Sequence, residues 1–369
     1  MAAGPAHRYG GVTGPSRGLA APVLRSAGAI AQNIPREGRP ISTSTLTLRG
    51  VLCHPGSRVA GSALGILLLV RTTDLGGAAR DVHAASPGWL AAGLALTVLT
   101  FTAGVVQWGV LLRGAGTRIL WRSVASWQAQ SVFAGHVLPT AAAGDAVRAV
   151  NACRAAGSGA GIGSILGSRL AGALSMAVWG LAGAVTLRGV FGVPVLAAAA
   201  AYVAGIVVAW LLVLTARPSA PARPGRRGGL ATRGARVVAS LRDGCHAIRH
   251  RTGAIVMCLM IALLGWGCQL LALVAFAHAV GVVVPPTVFA VALPISLVAT
   301  WSPASVNGVG LREGVMAGVL VHAGVSAAHA GAVSLIIDLQ MLPIALGGAI
   351  TWMVARRRCP RVRAVAPPR

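Results

Sequence analysis

Residues 301–314 read WSPASVNGVGLREG. They close a stretch, residues 252–311, that contains no Asp, Glu, Lys or Arg, and then set Arg312 and Glu313 side by side. Proline, serine, asparagine and glycine are poor residues for a helix interior, so the apolar run is broken just where charge arrives. The meaning of that break depends on the medium, and composition decides the medium. The chain is 55% hydrophobic and only 11% charged, with a mean hydropathy of +0.74, outside the usage of ordinary soluble domains. Uncharged stretches at 88–112, 170–187, 189–216 and 252–280, with 314–355 around Asp338, match the roughly 20 residues that cross about 30 Å of hydrocarbon. Residues 59–70 form a shorter candidate. These runs are continuous and do not alternate, which argues against a transmembrane barrel.

The formal net charge of +25 raises nucleic acid as a partner, but its distribution does not. All 32 basic residues are arginines, gathered in the N-terminal segment, at 113–122, at 217–251 and from Arg356 onward. Clusters between spans are what the positive-inside rule produces, and no basic module interleaved with aromatics is visible. No nucleic-acid partner is expected; a basic surface beside anionic lipid accounts for the charge. Six cysteines form no C-x-x-C pair and nine histidines form no H-E-x-x-H pattern, so neither a zinc site nor a disulfide framework is indicated. No nucleophile stands at a recognisable distance from a base, and no P-loop is present. The expectation is a non-enzymatic chain with no catalytic residue, no metal and no cofactor.

Residues 1–55, rich in Gly, Pro, Ser, Thr and Arg, cannot bury enough apolar surface to fold alone and are read as a disordered basic tail. Residues 56–356 make the transmembrane domain, with a basic loop at 217–251, and 357–369 form a basic tail. Placing both tails and the 217–251 loop in the cytoplasm forces a parity argument. Residues 124–160, broken by LPTAAAGD (138–145), must start and finish inside; residues 287–324, broken by the opening stretch, must start and finish outside. Each is then a re-entrant hairpin, entering from opposite faces. Pro139, Gly144 and Arg148 align without a gap on Pro303, Gly308 and Arg312, at an offset of 164 residues. Matched breaks of opposite orientation predict an inverted repeat, the plan of many secondary transporters. The expected fold is all-α, a polytopic helical membrane protein with about seven spanning helices and two broken hairpins.

HVLPTAAAGDAVRAVNACRAAG (136–157), GSRLAG (167–172) and LPISLVATWSPASVNGVGLREGVMAGVL (293–320) resemble the lysylphosphatidylglycerol synthase transmembrane-region family, the flippase-like membrane proteins. VQWGVLLRGAG (106–116) and LGG (346–348) add to the likeness, which spans about residues 56–356. The soluble aminoacyl-transferring domain of full-length synthases is expected to be missing, so lipid aminoacylation is not implied. The resemblance implies a plasma-membrane translocator of a phospholipid or lipid-linked anionic precursor. Two alternatives are a membrane transferase using Asp145 or Glu313 as base on a lipid-phosphate substrate, and a non-transporting partner of envelope-synthesis proteins. Only seven acidic residues exist in the chain, few for a metal–diphosphate enzyme.

Ionisable residues inside apolar segments demand an account, because an unpaired charge at mid-depth costs about 2.5–3.5 kcal/mol on insertion scales. Arg148, Arg312 and Arg169 are candidates for a headgroup phosphate, which the planar guanidinium fork suits. Asp145 and Glu313 are their candidate charge partners and are expected to line the same cavity. Asp145 and Arg148, three apart, share a helix face; Arg312 and Glu313, adjacent, are expected to point apart and need separate partners. The alternative is that these charges pair with one another and pin helices together. Pro139, Gly144, Pro303, Gly308 and Gly310 are the candidate hairpin breaks, and no role is carried over to Asp338.

Overall fold

The structure, a computed structural model, describes residues 80, 82–137, 143–215, 239, 242–246, 251–300 and 310–358. Residues 1–55, the candidate span 59–70, Pro139, Pro303, Gly308 and most of the 217–251 loop lie outside the described residues, as does the tail from 359. Among the described residues the chain is helical and contains no strand. The helices described in full follow in order as α1 Pro87–Gly114, α2 Trp121–Val137, α3 Ala143–Ala156, α4 Ser158–Thr186, α5 Arg188–Thr215, α6 Thr252–Ala279, α7 Pro286–Thr300, α8 Leu311–His322, α9 Ala327–Leu339 and α10 Leu342–Arg358, and residues 242–246 are helical as well. Five stretches among them are long and apolar enough to cross a membrane: α1, α4, α5, α6 and the combined run Ala327–Ala355. The protein is a polytopic helical membrane protein.

Lipid tails are as apolar as leucine, so helix association here rests on close packing and interhelical hydrogen bonds. Among the described helices the α1–α6 pair packs most extensively. Gly93 faces Phe276, a Cβ at Gly265 would lie 2.9 Å from that of Ala103, and one at Gly114 would lie 2.8 Å from that of Ala254. As the α1 number rises the α6 number falls, so the two run antiparallel along their whole length. Pro87 opens α1, where its missing N–H is no loss. The Ser86 N–H donates to Ala279 O at 2.8 Å, tying that end to the close of α6. A similar approach brings α4 against α7, where Cβ atoms at Gly180 and Gly183 would lie 2.9 Å from Pro294 and 2.7 Å from Thr287 O.

The final span expected within 314–355 is present as the run Ala327–Ala355, but it is interrupted partway. Pro343 offers no N–H and its ring crowds the preceding turn, so the chain forms α9, turns at Gln340–Met341 and restarts as α10. The turn sends the Gln340 side chain inward, where Oε1 accepts from Thr97 Oγ1 at 2.9 Å and from Gln269 Nε2 at 3.3 Å. α5 is the opposite case. It bends at Gly192 (φ +72°) ahead of Pro194, and within it only Trp210 and Val213 are buried, leaving its apolar sides to lipid.

The packing order repeats. α2 packs on α3 and α3 on α4; later α7 packs on α8 and α8 on α9. In each set the second helix is short and begins just after one of the sequence breaks, at 138–142 and 301–309, that lie outside the described residues.

Candidate functional site

The two short helices α3 and α8 aim charged side chains into one cavity of about 560 Å³. Arg148, on α3, is only 6% exposed. Its Nη2 donates to Ser168 Oγ at 2.9 Å, its Nη1 lies 3.6 Å from Asp145 Oδ1, and its guanidinium stacks 4.4 Å from the Trp108 ring centroid. Trp108 is itself fully buried and anchored, its Nε1 donating to Ser164 Oγ at 3.1 Å. Arg148 Nε has no partner. A cation desolvated over an indole face is stabilised by the ring quadrupole, and the guanidinium is thereby oriented with a donor to spare. Gly144 makes this placement feasible: a Cβ there would lie 2.7 Å from Ser131 O, so α3 starts in contact with the α2 backbone.

Arg169, from α4, grips Asp145 with Nε at 3.0 and 3.1 Å and Nη2 at 2.7 Å, while its own side chain is 59% exposed. Asp145 therefore serves two arginines. Contrary to expectation it does not line the cavity; it lies beside it and compensates Arg148 and Arg169, which do.

On the other side, Glu313 reaches back over the start of α8 and its Oε2 accepts the Gly310 N–H at 2.6 Å. Gly310 has φ +83°, a backbone region that a residue with a Cβ enters only with strain, so its glycine serves the turn. The expectation that Arg312 and Glu313 point apart fails: because Glu313 curls back to cap the helix, its Oε1 lies 3.4 Å from Arg312 Nε. Arg312 Nη2 also donates to Asp338 Oδ1 on α9. Arg312 and Asp338 both line the cavity, together with Glu313.

Arg148, Arg169, Arg312 and Glu313 are thus brought to one cavity, with Asp145 behind it; Gly144 and Gly310 stand where α3 and α8 begin. Sequence reasoning missed Asp338, the Trp108 shelf and the polar wall formed by Gln107, Gln269, Ser296, Ser334 and Gln340. A signal for Asp338 existed. Arg169 follows Asp145 by 24 residues and Asp338 follows Arg312 by 26, so each short helix finds its partner at a similar distance along the chain. A second cavity of about 240 Å³, lined almost wholly by apolar residues of α4, α5 and α7, adjoins the first through Tyr202, which lines both. Among the described residues no group of three or more His, Cys, Asp or Glu could hold a metal ion.

A family model for the lysylphosphatidylglycerol synthase TM region matches residues 57–348, and so takes in both arginine helices and the whole cavity. The chain belongs to that family. Searches of curated proteins and of solved structures found no match. Family membership and the apolar spans together make this a membrane protein related to lipid handling.

Proposed function

We propose that the cavity receives the anionic headgroup of a phospholipid or lipid-linked precursor, and that the protein carries this headgroup across the plasma membrane without altering it. The observation that carries the reading is Arg148: a buried guanidinium, fixed by Ser168, Asp145 and Trp108, facing a polar cavity with an unpartnered Nε. A buried polar group without a partner is destabilising by about 1–3 kcal/mol; a phosphate oxygen would remove that cost with a charge-assisted bond. Arg169 and Arg312 add donors at the same cavity. The adjoining apolar cavity gives a hydrocarbon chain a place next to the headgroup, and the sparsely packed α5 leaves that side to lipid.

In this reading the short helices α3 and α8 belong to two re-entrant hairpins, tolerable at membrane depth because both helices border a polar cavity. Both termini and the 217–251 loop lie in the cytoplasm, where arginine concentrates. The protein is a carrier and not an enzyme. The test is purified protein in liposomes with NBD-phosphatidylglycerol as probe. Protein-dependent movement of intact probe between leaflets, impaired by Arg148→Ala, supports the carrier. Chemical conversion of the probe, read by mass spectrometry, would replace it with the transferase.

A further inference from the structure

Among the described residues the arginines and carboxylates at the cavity balance: Arg148, Arg169 and Arg312 against Asp145, Glu313 and Asp338, with His136 and Tyr202 as the further ionisable side chains that line it. They do not balance locally. The α3–α4 side holds two arginines on one acid, while the α8–α9 side holds one arginine between two acids. An anionic headgroup entering at Arg148 therefore leaves the loaded cavity with one uncompensated negative charge, in a medium where such charge is strongly disfavoured. We infer that a proton travels with the headgroup, carried on the carboxylate of Asp338, so that the loaded cavity is neutral. This rests on the carrier reading of the same site.

Of the two acids on the α8–α9 side, Asp338 is the one free to exchange. Glu313 is 9% exposed and held by the Gly310 N–H; the Asp338 side chain is 26% exposed and faces the cavity with Arg312 as its cation. A second observation marks the place. Ser334, one turn before Asp338 on α9, is 2% exposed, lines the same cavity, and its Oγ has no partner. A buried hydroxyl in a polar cavity is suited to bond a water, and Ser334 and Asp338, four apart, share a helix face. The charged groups facing Asp338 are Arg312 and Glu313 from α8; α6 presents Gln269, and Arg148, Arg169 and His136 lie around the rest of the cavity. When phosphate draws Arg312 away, Asp338 loses its counter-charge and takes a proton from the aqueous side then open, forming an O–H bond on the carboxylate. When the headgroup leaves on the other side, Arg312 returns to Asp338 and the proton is released there.

The test uses full-length protein in phosphatidylcholine liposomes with NBD-phosphatidylglycerol, with potassium and valinomycin clamping the membrane potential. A gradient of one pH unit should drive the probe toward the leaflet facing the alkaline side by up to about tenfold, since one proton per lipid couples the two ratios. A change of potential at equal pH should drive nothing. Asp338→Asn should lose the pH-driven shift, and Asp338→Glu should keep it. Wild-type redistribution that follows potential and ignores pH, or that follows a sodium gradient instead, overturns the proton and leaves the carrier standing. No protein-dependent movement under any gradient overturns the carrier, and the proton with it.

Discussion

The two arginine helices each begin just after a sequence break yet hold their arginines in opposite ways. On α3, Arg148 is buried, stacked on Trp108 and fastened to Ser168. On α8, the Arg312 side chain is 44% exposed and enclosed by carboxylates, Asp338 and Glu313. Burial makes the first guanidinium a fixed post with an unpartnered Nε; in the proposed carrier, exposure and double neutralisation make the second a group that must exchange partners before it binds an anion. The difference follows from the partner helices. α4 supplies a cation, Arg169, where α9 supplies an anion, Asp338.

The sharpest test of that contrast is to remove each arginine in turn. Arg148→Ala should lower lipid movement by roughly tenfold to hundredfold, in line with about 1.5–3 kcal/mol for hydrogen bonds to a charged group. Arg148→Lys should restore little, since a point charge loses both the fork and the stacking. Arg312→Lys should keep more activity, because a flexible ammonium can still pair with Asp338. Transport rates normalised to folded protein read all three, and equal behaviour of the two Lys variants would break the comparison.

The glycines at the two helix starts differ in kind as well. Gly310 is needed for its positive φ, so Gly310→Ala should cost about 1–2 kcal/mol, and Gly310→Asn less, since Asn enters that region more readily. Gly144 is needed for lack of volume against Ser131 O, so there Asn should be worse than Ala. Thermal unfolding in detergent orders the four variants. The same order at both sites would mean that one physical cause serves both.

Much of this architecture is legible in the sequence, for a physical reason: lipid demands long uncharged runs. Residues 88–112 and 252–280 anticipate α1 and α6 to within a few positions. The Asp145–Arg148 pair also follows from helix spacing, three residues apart on one face. What the sequence conceals is choice of partner between helices. Arg312 could meet any acid brought near it, and only the packing of α8 on α9 selects Asp338. No role carries over to Asp338 from the family likeness, whereas charge balance within the membrane points to it. Trp108 was visible as a sequence feature, but its service as a shelf for Arg148 depends on α1 passing beside α3. The break at Gln340 was readable from Pro343 and was outweighed by the apolar run around it.

A smaller effect separates the ion pairs themselves. Asp145–Arg169 has good bidentate geometry but an arginine side chain 59% exposed, whereas the Asp338 side chain is 26% exposed. Exposed pairs contribute about 0.2–1 kcal/mol, less when screened. A double-mutant cycle in unfolding should therefore give the larger coupling for Arg312–Asp338, and 1 M salt should erase more of the Asp145–Arg169 coupling. The reverse ranking would mean that Asp145–Arg169, not Arg312–Asp338, is the more strongly coupled pair.

Whether the two halves are inverted is a question of sides, and the segment joining them supplies the handle. Cys245 lies between α5 and α6, so external labelling there would reverse the topology. The residue is only 8% exposed, packed with Val213, Leu166 and Leu170, and burial pushes its thiol above the ordinary range. A raised thiol holds less reactive thiolate at a given pH. Cys245 should thus label slowly near neutrality and faster as pH rises, whichever side it faces. A cysteine at the exposed position 251, made as Arg251→Cys in a Cys245→Ala background, avoids that masking. It should react quickly with a membrane-impermeant maleimide in inside-out vesicles and not in intact cells. Reaction in intact cells would place the joining loop outside, and the comparison of α3 with α8 as inverted partners would have to be redrawn with both hairpins entering from the other faces.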